Sequence, residues 1–316
     1  MFLFKVKLIQ IIVFINMRFS ILTFNNKVGI LRDALLLKEI INKITDDVEI
    51  MFLEQIKNDY ISNVGIWIQN YYTHLLENFK TNIFYFNEEW FDYDINDLKK
   101  FNYVICKSKF SYDLIKDQCN AIFLPFVSKN CYDKNIVKNK KFLHFMGRSI
   151  QKNTELVLNQ NVNITLIDPY NRYKPNSNFD HVNTYQTDEQ LIYLLNSHNV
   201  HICCSLYESW GHYLFEGLST GAEIICSDLP VFREYLDPDL VHFIPTKEKI
   251  DMSYLYCSEN KNNLYKFRKA FFVDEEIFSN KLLNFESKNK NKDRIELFNK
   301  ITKTHTEDIF YFFKNI

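Results

Sequence analysis

The chain is predicted to be an α/β protein with two doubly wound parallel sheets, and three observations carry that expectation. Its 316 residues suffice for two compact domains of about 100 to 200 residues each. Short apolar runs alternate with helical patterns along both halves, the order that builds parallel sheets with crossover helices. Near the middle of the second half, the apolar run Val200-His-Ile-Cys-Cys-Ser205 leads into a glycine turn and a helix start at Gly211, a strand–turn–helix unit.

The elements follow in order. In the first half, strands are expected at Phe19 to Phe24, Val48 to Leu53, Val64 to Gln69, Ile83 to Phe86, Tyr103 to Cys106 and Ala121 to Leu124. Helices are expected at Ile30 to Ile44 and Ser111 to Gln118. A polar, Lys- and Asn-rich stretch over 125–140 reads as a link between halves. The second half repeats the pattern, with strands near Phe142 to Met146, Ile164 to Ile167, Val200 to Cys204, Glu223 to Cys226 and Val241 to Ile244. Thr187-Asp-Glu-Gln190 has the form of a capping box that opens the helix before the central strand. The tail from Ser258 is charged and aromatic at helical spacing.

Composition narrows the function. A net charge of −1 argues against a partner captured by bulk electrostatics, so no nucleic acid is expected. Seven cysteines include no Cys-x-x-Cys, and Cys203-Cys204 falls in a core strand, so buried thiols in a reducing compartment are expected rather than disulfides or zinc. Lys5 and Lys7 precede an apolar run, Leu8 to Ile15, that is broken by Gln10 and far short of the about 20 residues a membrane span needs. Residues 1–16 therefore read as an N-terminal extension ahead of a cleaner strand, and the protein as cytoplasmic with at most peripheral membrane contact.

The segment from Glu208 to Ala222 is the most informative. Its two carboxylates, Glu208 and Glu216, are eight apart with Gly211 between them, so the first lies in a turn and the second on the helix. Both can reach one ligand lying across the helix N-terminus, whose N–H groups and dipole favour an anion such as a diphosphate. Upstream, Phe142-Leu-His-Phe-Met-Gly147-Arg148-Ser149-Ile-Gln-Lys152 forms a second strand followed by a basic turn.

The E-x7-E segment, its continuation Glu216-Gly-Leu-Ser-Thr-Gly-Ala, Ser227-Asp-Leu-Pro230 and the Gly147-Arg148-Ser149 turn together resemble the donor-binding half of retaining GT-B glycosyltransferases of the GT4 type. The likeness runs from about Lys141 to Pro245. It implies a GT-B fold, two Rossmann-like doubly wound domains facing a central cleft. The corresponding domains are residues 17–128 on the acceptor side, a linker at 129–140, a donor domain at 141–285 and a helical segment at 286–316 returning toward the first domain. It also implies a hexosyltransferase-type enzyme acting on a nucleotide-diphosphate sugar, with no metal or other cofactor and an acceptor that is a glycan, lipid or protein.

By the same resemblance, Arg148, Ser149 and Lys152 meet the diphosphate beside Gly147, Glu208 accepts from the transferred sugar and Glu216 from the ribose. Catalytic roles fall to Glu208, Arg148 and Lys152. Gly147, Ser149, Gly211, His212, Glu216 and Gly29 are expected to bind the donor. His212 has two readings, a contact to phosphate or acceptor and ordinary helix packing. Gly29 occupies the place of a glycine loop lining the cleft, with one glycine where many relatives have two. His74 and Glu88 follow strand ends on the acceptor side, although Glu88-Glu89 also fits a solvated helix start. The triplets Asp92-Tyr-Asp94 and Asp237-Pro-Asp239 invite a rival, metal-dependent GT-A reading; Asp237-Pro-Asp239 looks like a turn. Two functional alternatives stand beside the transferase: a catalytically silent nucleotide-sugar binding or scaffold protein, and a GT-B epimerase or phosphorylase.

Overall fold

A computed structural model describes residues 17–25, 29–57, 59–91, 93–146, 150–173, 179–182, 187–249 and 270–316. The expected extension at 1–16 lies outside them. The chain divides into two compact units: the first takes the described residues up to Val127 together with Lys303–Ile316, the second those from Ser128 to Thr302.

In the first unit, six parallel strands are ordered β2-β1-β3-β4-β5-β6: β1 (Phe19–Thr23), β2 (Val48–Phe52), β3 (Ser62–Ile68), β4 (Phe79–Phe86), β5 (Tyr103–Cys106) and β6 (Ala121–Phe123). Helix α1 (Gly29–Ile41) lays Ile30, Ala34, Leu37 and Ile41 on the sheet at the three- and four-residue spacing of one helical face. Helix α2 (Lys109–Ile115) begins three residues after β5, its N-cap Ser108 accepting from the Ser111 N–H. The opposite sheet face holds an aromatic cluster, with Phe84 against Tyr71, Phe91 and Phe101 at 5.7, 6.1 and 4.9 Å.

The second unit repeats the design, ordered β12-β11-β10-β7-β8-β9: β7 (Lys140–Phe145), β8 (Ile164–Ile167), β9 (Phe179–Val182), β10 (His198–Cys203), β11 (Glu223–Ser227) and β12 (His242–Ile244). Its helices are α3 (Thr154–Leu158), α4 (Asp188–Ser197), α5 (His212–Ser219), α6 (Pro230–Arg233), α7 (Glu275–Leu283) and α8 (Asn291–Lys314). Alternation along β7 sends Phe142 to a core with Val157, Ile202, Phe278 and Leu282, and Leu143 to another with Ile167, Leu194 and Leu195. The capping box forms as expected, with Thr187 accepting from the Gln190 N–H and Gln190 from the Thr187 N–H. A short antiparallel pair, β13 (Thr246–Lys249) and β14 (Ala270–Val273), stands apart from the sheet. Helix α8 starts in the second unit and passes to the first at Lys303, where Phe313 meets Phe19 edge-on at 6.0 Å.

Sequence reading placed every strand of the first sheet and missed β9. That strand has only four residues, Phe-Asp-His-Val, with two charged or titratable side chains between apolar ends. Such a run carries no signal until a neighbouring strand supplies its partner.

Candidate functional site

The strand order decides where the site falls. From β7 the sheet grows one way through β8 and β9, and the other way through β10, β11 and β12, so the switch point lies between β7 and β10. Loops leaving the carboxyl ends of two strands at a switch point part and leave a crevice, which is where open α/β sheets take ligands. The register pairs Ile202 with His144, so the turn after β7 and the loop after β10 leave the sheet side by side.

His144 locks the first turn. Its buried Nδ1–H donates to the Ile202 carbonyl at 3.0 Å, and Nε2 accepts from Thr154 Oγ1 at 2.9 Å. Burial pushes its pKa down to about 4, helped by the nearby Lys152 charge, so it stays neutral and keeps both bonds. Thr154 opens α3, and the short turn Ile150–Lys152 precedes it. Gln151 clamps that turn onto the second loop: its Nε2 donates to the Tyr207 carbonyl at 2.7 Å, and its carbonyl accepts from the Leu206 N–H at 2.8 Å.

The clamp brings Lys152 and Glu208 together. Lys152 Nζ donates to Glu208 Oε1 across 56 positions of sequence, and Ser205 Oγ donates to the same oxygen at 2.7 Å. The Glu208 side chain is 8% exposed and that of Lys152 22%. Gly211 then turns the chain into α5 with φ +95°, and a Cβ there would lie 2.8 Å from the Phe232 ring, so both backbone and space demand glycine. As N-cap it gives α5 no side-chain cap. Glu216 lies in the second turn of α5 and is buried at 2% exposure. Next to it, a Cβ on Gly217 would run into the His201 ring and lie 3.1 Å from Ile224, so only glycine lets α5 pack this closely on β10 and β11.

His212, the first residue of α5, turns Nδ1 to Ser128 Oγ at 3.0 Å, and the same oxygen accepts from Trp210 Nε1 at 2.9 Å. Trp210 is held by Phe215, stacked at 4.3 Å, and by Tyr235, edge-on at 5.1 Å.

The structure thus gathers Lys152, Glu208, Gly211, His212 and Glu216 around the crevice of one sheet. Gly147, Arg148 and Ser149 lie outside the described residues. Gly29, His74 and Glu88 belong to the first unit. Gly29 is exposed at the first position of α1. His74 is exposed and stacks on Tyr72 at 5.7 Å. Glu88 and Glu89 are buried at 5% and 7%, which corrects the solvated helix-start reading; Glu88 accepts from Ser111 Oγ at 2.6 Å and braces α2. Asp92 lies outside the described residues, while Asp237 Oδ1 accepts from the Asp239 N–H at 2.8 Å, a turn contact as expected. No three described His, Cys, Asp or Glu side chains are gathered as a metal site, and no described helix is long and apolar enough to cross a membrane. Sequence reasoning missed Ser205, Gln151, Trp210 and Ser128. Ser205, three residues before Glu208 at a strand end, was within reach of a local turn argument; Ser128 and Gln151 act across more than fifty positions and leave no local signal.

No protein-family model matches the chain, and no curated protein does. Solved structures do. Anabaena HepE, in complex with UDP and glucose, superposes with a TM-score of 0.64 at 10% identity, over 95% of this chain and 100% of that one. A sucrose-phosphate synthase from Thermosynechococcus elongatus gives 0.62 at 11% identity, over 94% and 98%. The pneumococcal O-GlcNAc transferase GtfA, in complex with UDP and GlcNAc, gives 0.55 at 10% identity over 77% of this chain, which spans only 55% of its length. The fold is therefore GT-B, two parallel six-stranded sheets each flanked by helices.

Proposed function

We propose that the protein is a glycosyltransferase of the GT4 type that moves a sugar from a nucleotide-diphosphate donor to a glycan, lipid or protein acceptor, with retention and without a metal. The observation that carries this reading is the meeting of Lys152 and Glu208 at the switch point, beside a helix start that has no side-chain cap and two turns from buried Glu216. A departing nucleoside diphosphate gains negative charge as its bond to the sugar breaks. Preorganised positive groups in a half-buried site lower that barrier more than the same groups would in water. Lys152, with Arg148 beside it, supplies that charge, and the first N–H groups of α5 add partial charge from the helix end. Glu208 is a carboxylate held by Ser205 and Lys152, so its orientation is set before the sugar arrives, and a carboxylate accepts from two neighbouring hydroxyls at once. Glu216, one helical turn deeper, serves the ribose in the same way. The uridine diphosphate held by HepE and the pneumococcal transferase makes UDP-sugars the first donors to try.

A thermal-shift and hydrolysis screen against UDP-, GDP-, ADP- and CMP-sugars, with and without EDTA, tests the reading. Stabilisation by one nucleotide family with EDTA-resistant release of its diphosphate is the expected result. Stabilisation without turnover against any acceptor would favour the silent binding protein, and an altered free sugar or sugar phosphate the epimerase or phosphorylase.

A further inference from the structure

We infer that Ser128 is a positioning residue that holds His212 in the neutral tautomer with its proton on Nε2, making the side chain a hydrogen-bond donor for a diphosphate at the start of α5. The ligand in this inference rests on the proposed donor site; the tautomer does not.

The proton count leaves little freedom. An indole nitrogen can only donate, so the 2.9 Å contact from Trp210 Nε1 makes Ser128 Oγ an acceptor there. Ser128 is 5% exposed, so its own hydroxyl proton has no route to bulk water and needs a protein acceptor. His212 Nδ1, at 3.0 Å, is the acceptor in reach. Were Nδ1 protonated instead, Ser128 Oγ would receive two donors and bury its own proton unbonded, which is the expensive way to leave a hydroxyl. Nδ1 is therefore the bare nitrogen, and the proton sits on Nε2, on the far side of a ring that is only half-buried. His144 shows the opposite case in the same unit: its Nδ1 faces a carbonyl oxygen and must carry the proton. The anchor is stiff, because the stack of Trp210 on Phe215 and its edge contact with Tyr235 fix the indole that fixes Ser128. Gly211 leaves the helix start without a side-chain cap, so Nε2–H adds a donor where the backbone N–H groups already favour an anion. Ser128 stands 84 positions before His212, and only the folded second unit brings them together.

The test is nitrogen spectroscopy of protein labelled with ¹⁵N-histidine, with His212 assigned by the signals that His212→Asn removes. Wild type should show a bare Nδ1 and a protonated Nε2 at His212. Ser128→Ala should lose that single tautomer, and Ser128→Thr, which keeps the hydroxyl, should retain it. Inorganic pyrophosphate should shift the His212 Nε2 signal, with about 3- to 10-fold weaker binding in Ser128→Ala, the size expected for one hydrogen bond. A protonated Nδ1 in wild type, or a His212 signal that pyrophosphate leaves in place, overturns the inference without needing any variant to fold. Failure of the donor-site reading looks different: Lys152 or Glu208 substitutions would leave sugar transfer intact while the His212 tautomer stays as assigned.

Discussion

Lys152 and Glu208 neutralise each other while Ser205 steadies the carboxylate, and each substitution therefore does more than delete one contact. Glu208→Ala leaves a half-buried ammonium without its partner and removes the sugar's acceptor. It is expected to lower kcat by about 10²- to 10³-fold with a smaller change in KM, measured by steady-state donor turnover. Glu216→Ala is expected to act chiefly on nucleotide affinity, read by calorimetry with UDP; equal wild-type behaviour of both variants would remove the carboxylates from the site. Gly211→Ala meets both a left-handed backbone and the Phe232 ring, so it should lose roughly 1–3 kcal/mol in denaturant unfolding and most activity. A neutral result there would mean that the α5 start is free to move.

Helix α5 is placed from both ends. Its start depends on Gly211, and its middle on Gly217, which lets the helix sit against His201 and Ile224. Gly217→Ala should therefore destabilise by about 1–3 kcal/mol although alanine is the better helix former, because overpacking outweighs propensity. Circular-dichroism unfolding that shows stabilisation would contradict the packing. The helix before β10 offers the contrasting case of an element held by local chemistry. Thr187→Ala removes the acceptor of the capping box and should cost about 1 kcal/mol, with activity unchanged. Helix α8 is held by Arg294, whose side chain is fully buried. It donates to the carbonyls of Gly221 and Leu240 and lies 3.7 Å from Glu223.

At the scale of the molecule, the second unit carries an acid-sensitive core. Burial pushes His144 and His198 down to about 4 and lowers His201 and His242 as well. In the unfolded chain a histidine titrates near 6.5, so on acidification the unfolded state takes up protons that the folded state refuses. Stability is fully present above that value and is lost as the pH falls from about 6.5 toward 4. By pH 5 the loss should reach about 2 kcal/mol for each of His144 and His198. Glu223 adds to it lower down: burial pushes its pKa up, but hydrogen bonds from His242, Ser287 and the Lys288 N–H, with the Arg294 charge, outweigh burial and hold it at about 2. Its contribution is present above the usual 4.5 and fades below that. Urea unfolding at a series of pH values checks the profile, and a flat line between pH 7 and 5 would refute it.

The alternation of apolar strands with helices, the capping box at Thr187, the glycine demanded at 211 and the placing of one carboxylate in a turn and one on a helix were all legible in the sequence. Each depends on residues within one or two turns of chain, where side-chain period and backbone sterics act directly. The fold class followed, since that alternation has few compact solutions. What the sequence could not determine was which distant groups meet. Only the order of the strands places the turn after β7 beside the loop after β10, and so joins Lys152 to Glu208 and, through Gln151, fastens one to the other. Only the folded second unit turns Ser128 toward Trp210 and His212 and buries Glu216. Local chemistry determined the parts, and the sheet's switch point, a property of long-range pairing, decided that they make one site.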